Sequence, residues 1–572
     1  MDEGRCISAV RHLWAILFSL GVVVSSGAAE RAVRTQSPNV GEFTKEIRDW
    51  FKVLRMPGLS VEVVEDGKII HWQREGFADV ERKAPIEEES IFWLASVTKT
   101  FSAVMLMQYE EEGKLSLSDP VMQYPFVSVG FFPQRINERV QLRHVLSHTS
   151  EGVPGDCFVY HGGRYNFIYG VFEQMSGEKY PEALHGELEK RVLRPLKLES
   201  TLTGYPTTNQ SSLRGRVVTP YSFDATKREY RVNQGAMSQQ VAYPSSGLLS
   251  SVKDLAAYTT ALDEDRLVSR SGYAKMTAPF VTNSGQPAGY GLGWFTETFA
   301  EIPLHWAYGY GDSDSAILLR VPSRKMSLIV LSNCDLTSAF ARLGGGNPLH
   351  SPAVVSFMKH FVLDAKITEP RVDLSAKVES VETELRRRLR DKPHRIHLEE
   401  LFSQALLQTF VAKMFGEERD HAEALTHLFF ELDRSGLTKA DPAVMHLLAE
   451  HPVVALNEAT EKEVKAYRDS GVVHPWILRS LAKRYEAMGD IEKAVLFSHE
   501  LADAPGFEEQ GDKWEACFYL AGEYARRGNL EKARHYAWRG LIYTRQAGGN
   551  GAKFTKQVEE INRLAVGDGA GR

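Results

Sequence analysis

An α+β domain followed by an all-α segment is the architecture this sequence predicts, and three observations predict it. Two β-hairpin signals stand near residues 58–72 and 315–331 with helical stretches between them, the layout of an antiparallel sheet carrying helices. Beyond residue 397 the periodicity is helical throughout. At 572 residues the chain is also too long for a single core, so two or three domains are expected. Composition is that of a soluble globular protein, with 43% hydrophobic and 25% charged residues. The net charge is −6, and it stays there without the first 28 residues, because Asp2 and Glu3 cancel Arg5 and Arg11. That balance gives no electrostatic reason to expect a nucleic acid or an anionic membrane surface as partner.

At the amino terminus, Arg5, Arg11 and His12 precede an apolar run from Leu13 to Val24 and the small residues Ser25 to Ala29. This predicts a signal peptide over 1–28 and a secreted or periplasmic protein; a membrane anchor is the alternative, although the run is short of the ~20 residues a span needs. Loss of Cys6 with the signal leaves Cys157, Cys334 and Cys517, too sparse and odd a set for a disulfide framework.

Gly58 to Val64 alternates, turns at Asp66-Gly67 and returns through Lys68 to Trp72, a hairpin pattern. An amphipathic run follows Ser96 and closes at Gly113. Helical segments are predicted around 140–147, 165–176, 181–193 and 252–262, with a loop-rich middle to about 245. Ser315 to Arg320 and Met326 to Leu331 flank the turn Pro322-Ser323-Arg324-Lys325, and a helix near 352–364 closes the first domain, taken as 29–365. Residues 366–397 carry the charge runs Arg386-Arg387-Arg388 and Arg390-Asp391-Lys392 and read as an exposed helix or linker. In the helical segment 398–572, Tyr485, Gly489 and Ala494 recur 39 positions later as Tyr524, Gly528 and Ala533. Helix pairs of tetratricopeptide type have a period of about 34, so this resembles such pairs with a longer connection, a form that can offer a concave surface to a protein partner. A plain helical bundle is the alternative.

The chemistry is sought at Ser96-Val97-Thr98-Lys99. On a helix, residues three apart share a face, so an ammonium lies one turn from the hydroxyl. Lysine serves as base to a serine only when burial or neighbouring cations pull it well below its usual value near 10.4. The tetrapeptide does not single out this site, because Ser-x-x-Lys also occurs at Ser176, Ser250, Ser356 and Ser480.

Its surroundings do. Pro57-Gly58-Leu59-Ser60-Val61, Ser96-Val97-Thr98-Lys99, Glu111 to Leu115, Leu142 to Ser150, Phe158-Val159-Tyr160, Tyr243 to Leu248, Tyr290 to Trp294 and Trp306 to Gly309 follow one another in an ordered series. Residues 57–335 thereby resemble the serine β-lactamase and penicillin-binding-protein-like hydrolases, in particular the class C-related branch, over a little more than half the chain. The resemblance implies a β-lactamase/transpeptidase-like fold and an acyl-enzyme mechanism. Ser96 would be the nucleophile, Lys99 its base and Tyr160 a partner in proton transfer. Oxyanion donors would be the Ser96 N–H and one just after Gly309, and Gly162, Tyr308 and Gly309 would line the substrate site. No metal or cofactor is implied; His144 and His148, spaced i, i+4 without an intervening Glu, fall in a structural loop.

Two departures bear on substrate. Tyr160-His161-Gly162 puts glycine where the family has asparagine, and Ala307-Tyr308-Gly309 lacks the cation that begins its strand motif. These argue against an efficient β-lactamase and point to an exported serine hydrolase acting on an ester, amide or peptide, either a small molecule or a peptide. Processing of a cell-wall peptide ending in D-Ala is one such activity. A catalytically degenerate scaffold, binding protein through its helical repeats, is the alternative. His305 and Arg164 are candidates to replace the missing cation.

Overall fold

The computed structural model describes residues 37–125, 138–363 apart from 157, 225, 286 and 342, and the helical stretches 378–390, 395–415, 475–504, 511–546 and 551–567. The expected signal peptide and Cys157 lie outside the described residues. The central feature is a six-stranded antiparallel sheet of β1 (Gly58–Glu65), β2 (Lys68–Gly76), β3 (Phe295–Phe299), β4 (Ile302–Tyr310), β5 (Ser315–Val321) and β6 (Met326–Ser332). Its order is β2-β1-β6-β5-β4-β3, so the two predicted hairpins, far apart in sequence, meet where β1 pairs with β6. Asp66 and Gly67 both have positive φ, the turn geometry whose twist matches a two-residue hairpin. β5 and β6 are buried along their whole length, as central strands covered on both faces must be.

Alternate residues of these strands feed two cores. Leu319 and Val330 face one side, where helix α1 (Val40–Val53) contributes Phe43, Ile47 and Trp50 at helical spacing and residues 352–362 add Phe357 and Phe361. Leu318 and Ile329 face the other, against helices α2 (Thr98–Glu111) and α3 (Val252–Asp263). Helix α2 corrects one expectation. It is not amphipathic near the site: every residue from Thr98 to Met107 is buried, because the helix lies between the sheet and an outer helical layer. Phe158–Tyr160 is an extended segment outside the sheet, tied by the Val159 N–H to the His148 carbonyl at 2.8 Å.

Past the sheet, residues 378–390 form a helix, and helix α4 (Arg395–Phe415) packs on the sheet-bearing part of the chain. Ser403 donates to the His350 carbonyl at 2.8 Å, and the Phe410 and Phe415 rings lie 6.0 and 5.3 Å from Phe340 and Phe223. Helices α5 (Pro475–Ala487), α6 (Ile491–Asp503), α7 (Gly511–Arg526), α8 (Leu530–Gln546) and α9 (Ala552–Gly567) follow. The 39-residue echo is structural. Tyr485 stacks on Phe497 at 5.5 Å as Tyr524 stacks on Tyr536 at 6.0 Å, and Lys493 covers Tyr485 as Lys532 covers Tyr524. Gly489 and Gly528 take the left-handed conformation that ends the first helix of each pair.

On β5, Arg320 is 1% exposed and reaches Asp263 of α3 at 2.5 Å while lying over the Tyr273 ring. Removing one partner of a buried ion pair strands the other charge, at a cost of about 3–5 kcal/mol. Asp263→Ala should therefore cost roughly 3 kcal/mol of stability measured by urea unfolding, and Asp263→Ala with Arg320→Leu should recover most of it.

Candidate active site

The strand pair closes on Ser96 from one side and α2 from the other. Ala95, Ser96 and Val97 form a 3₁₀ turn ahead of α2, so Ser96 stands before the helix rather than in its first turn. Ala95 has φ +41°, a left-handed conformation that costs a non-glycine residue about 1 kcal/mol and is held by its neighbours. β4 comes so close that a Cβ on Gly309 would stand 2.2 Å from the Leu94 carbonyl oxygen and 3.2 Å from the Ala95 Cβ. Only glycine permits that approach.

Lys99 lies one turn into the body. Its Nζ donates to Ser96 Oγ at 2.8 Å and to the Ser245 carbonyl at 2.9 Å, and the side chain is 1% exposed. Burial pulls its pKa down to about 7. The other four Ser-x-x-Lys lysines differ in kind. Lys179 pairs with Glu173, Lys253 with Glu89, Lys359 with Glu46 and Glu400, and Lys483 with Glu515. A carboxylate partner keeps an ammonium charged, whereas Lys99 has neutral oxygens.

Tyr160 faces the same serine, within hydrogen-bonding reach of it, and burial holds the phenol above its usual range. Its ring stacks on Tyr308 at 5.6 Å and on Phe295 at 5.7 Å, and His148 lies 4.3 Å away. Lys99 Nζ sits 5.1 Å from the Tyr160 ring centroid. Burial, with Lys99 and His161 nearby, pushes His148 well below the usual imidazole value, so it packs as a neutral ring and accepts from the His161 N–H at 3.2 Å. His144 accepts from the Gln141 N–H at 3.2 Å, at a helix start.

The structure places Gly162 beside Lys99: a Cβ there would stand an ordinary 3.8 Å from Nζ. Room for an amide exists, and the amide is missing. A residue overlooked in the sequence works nearby. Asn166 Oδ1 accepts from the Ser245 N–H at 3.0 Å, and it is the Ser245 carbonyl that holds Lys99. Only its nearness to Tyr160 in sequence signalled it. Ser245 lies in a tight turn closed by backbone hydrogen bonds between Tyr243 and Ser246.

Neither candidate cation replaces the one absent at Ala307. Arg164 is buried against Glu151 at 3.7 Å. His305 contacts Tyr273 Oη at 3.0 Å, and burial lowers it to about 4, which leaves it neutral. Further along β4, Gly309 faces Ala316 of β5, and the Gly311 N–H bonds the Asp314 carbonyl. In an antiparallel ladder that alternation turns the Tyr310 N–H away from β5, beyond the end of β3.

A family model described as beta-lactamase matches residues 45–345. Penicillin-binding protein 4* of Bacillus subtilis (strain 168) is 24% identical over 322 residues, 48% of this chain and 67% of that protein. A D-aminopeptidase of Gluconobacter oxydans (strain 621H) is 24% identical over 311 residues, 48% of this chain and 56% of that protein. Among solved structures, a penicillin-binding protein homologue from Pyrococcus abyssi is 25% identical, covering 54% of this chain and 78% of that chain at a TM-score of 0.43. The chain spans from just over half to about two thirds of the length of these two curated relatives.

Asn166→Ala frees the Ser245 peptide that anchors Lys99. Activity toward an ester is expected to fall about tenfold, and the acid-limb pKa of the pH–rate profile should rise as Lys99 gains water. A loss of thermal stability with an unmoved limb would show Asn166 to be structural only.

Proposed function

The chain belongs to the beta-lactamase family, and from that membership we propose that it is an exported serine hydrolase working through an acyl-enzyme on Ser96. The observation that carries the proposal is Lys99, buried without a carboxylate and bonded to the serine hydroxyl at 2.8 Å. Neutral above about 7, its amine takes the Ser96 proton as Oγ forms a bond to the substrate carbonyl carbon. The carbonyl electron pair moves to oxygen, which the Ser96 and Tyr310 N–H groups receive; such donors are each worth a few kcal/mol in the transition state. Collapse breaks the bond to the leaving group, which gains a proton through Tyr160 or Lys99. Water then cleaves the ester to Ser96 by the same route in reverse.

Esters, amides or peptides without a carboxylate beside the scissile bond suit the site, because Ala307 offers no cation and Arg164 and His305 do not replace it. Efficient β-lactam hydrolysis is disfavoured on the same ground. Release of a D-amino acid from a peptide stays within the proposal. The relative named a D-aminopeptidase supports it. The degenerate-scaffold reading rests on Gly162 and Ala307; the intact Ser96–Lys99 contact favours turnover. We further propose that the two similar helix pairs form a tetratricopeptide-like module for a protein partner, supported by the matching Tyr485–Phe497 and Tyr524–Tyr536 stacks. Among the described residues no helix is long and apolar enough to cross a membrane.

A fluorophosphonate probe should add one equivalent to Ser96, seen by intact mass and peptide mapping, and none to folded Ser96→Ala. Lys99→Ala should label and hydrolyse short esters at least ~100-fold more slowly. Absence of any adduct on folded wild type would sink the hydrolase proposal. With a base near 7 that must be neutral to act, kcat/KM should fall about tenfold per unit as pH drops below about 7 and level off above it.

A further inference from the structure

The Tyr310 N–H, proposed above to receive the oxyanion, is one end of a peptide unit whose other end is held by a buried side chain. The Tyr310 N–H and the Gly309 carbonyl belong to the same planar amide and point in opposite directions. Gly309 faces Ala316, and the next pair along, Gly311 with Asp314, is hydrogen-bonded. By that alternation the Gly309 carbonyl turns toward β5 and the Tyr310 N–H away from it. One lone pair of the carbonyl serves the ladder, and a second hydrogen bond comes from Ser338 Oγ, which donates to the same oxygen at 2.8 Å.

Ser338 is 4% exposed and stands on a short helix, Leu336–Ala339, that is gripped from two directions. The Thr337 N–H donates to Ser315 Oγ at 3.2 Å, and Ser315 Oγ donates to the Cys334 carbonyl at 2.6 Å, which clips the helix to the first residue of β5. Just past the helix, the Phe340 ring lies 6.0 Å from Phe410 of α4. Gly309 also lies against Leu94 and Ala95, so the same amide is seated on the Ser96 turn and anchored by Ser338.

A hydroxyl bonded to that carbonyl has two effects on the far end of the amide. Fixing the carbonyl fixes the amide plane, and with it the direction of the N–H. Accepting a second hydrogen bond also polarises the amide, since bonds in a chain strengthen one another, and makes its N–H a better donor. Both effects act where charge develops on the substrate oxygen, so they favour the transition state over the bound substrate.

We propose that Ser338 is a positioning residue of the oxyanion site, its hydroxyl orienting and polarising the Gly309–Tyr310 amide so that the Tyr310 N–H meets the developing oxyanion. This rests on the serine hydrolase reading of Ser96.

The test compares full-length wild type, Ser338→Ala and Ser338→Thr on p-nitrophenyl acetate and on its thiono analogue, whose C=S sulfur is a poorer hydrogen-bond acceptor. Ser338→Ala should lower kcat on the oxygen ester about tenfold with KM within about twofold of wild type. Its preference for the oxygen ester over the thiono ester should shrink several-fold, and the acid limb near 7 should stay in place, because Lys99 is undisturbed. Ser338→Thr, which keeps the hydroxyl, should retain most of the rate and of the preference. If Ser338→Ala does not fold, Ser338→Cys, close in size with a weak donor, takes its place with the same signs expected. Unchanged kcat and preference in a folded variant overturn the positioning role and leave the hydrolase intact. A slower variant whose preference is unchanged, or whose acid limb moves, also overturns it, as does an equal loss in folded Ser338→Thr. A wild type that hydrolyses neither ester overturns the hydrolase reading and the positioning role together.

Discussion

A lysine amine kept out of water beside a serine hydroxyl is the constraint on which the rest of this molecule turns. Lys99 has no carboxylate to hold it charged, so the protein must supply both the dry surroundings that lower its pKa and the neutral oxygens that orient it. Dryness explains why α2 is buried all round from Thr98 to Met107, between the sheet and a second helical layer. It explains the aromatic group of Tyr160, Tyr165 and Tyr308 nearby, whose faces tolerate a cation without providing a counter-ion. The oxygens come from far along the chain, Ser245 lying 146 residues on.

That distance sets how much could be read in advance. Both hairpins were legible because their signals are local: alternation, a two-residue turn at Asp66-Gly67 and Pro-initiated punctuation at Pro322. Their membership of one sheet was read from hairpins flanking helices, but the pairing of β1 with β6 follows no local rule. The serine was one of five equivalent tetrapeptides until the ordered motifs around it singled it out. The structure adds a second distinction, the company kept by each lysine, an ion-pair network that no spacing encodes. Asn166 and the left-handed Ala95 were illegible for the same reason. An asparagine that holds a remote peptide and an alanine forced to positive φ by close packing look ordinary in sequence. The amphipathic reading of α2 failed because it assumed one wet face, and Thr, Ser and Lys on that helix are polar groups serving the interior.

The two departures from the family pattern acquire different meanings in three dimensions. Gly162 leaves a gap next to Lys99, yet the lysine is still held, since Asn166 fixes the Ser245 peptide that accepts from it. The loss is in what an amide there would offer a substrate. Ala307 is not compensated, because Arg164 is buried against Glu151 and His305 is neutral. The buried Lys99–Ser96 pair is thus present in a chain whose β4 carries no cation at Ala307.

Charge has instead gathered at the other end of the same strand. From Ala307 to Asp314, β4 and its turn run from a position without its cation to a turn with unpaired carboxylates, passing the close approach at Gly309 on the way. Buried carboxylates are costly to fold around, and burial together with the like charge of Asp312 holds both Asp314 and Asp335 up. β4 therefore brings Ala307, the close approach at Gly309 and the acidic turn into one line beside the Ser96 turn.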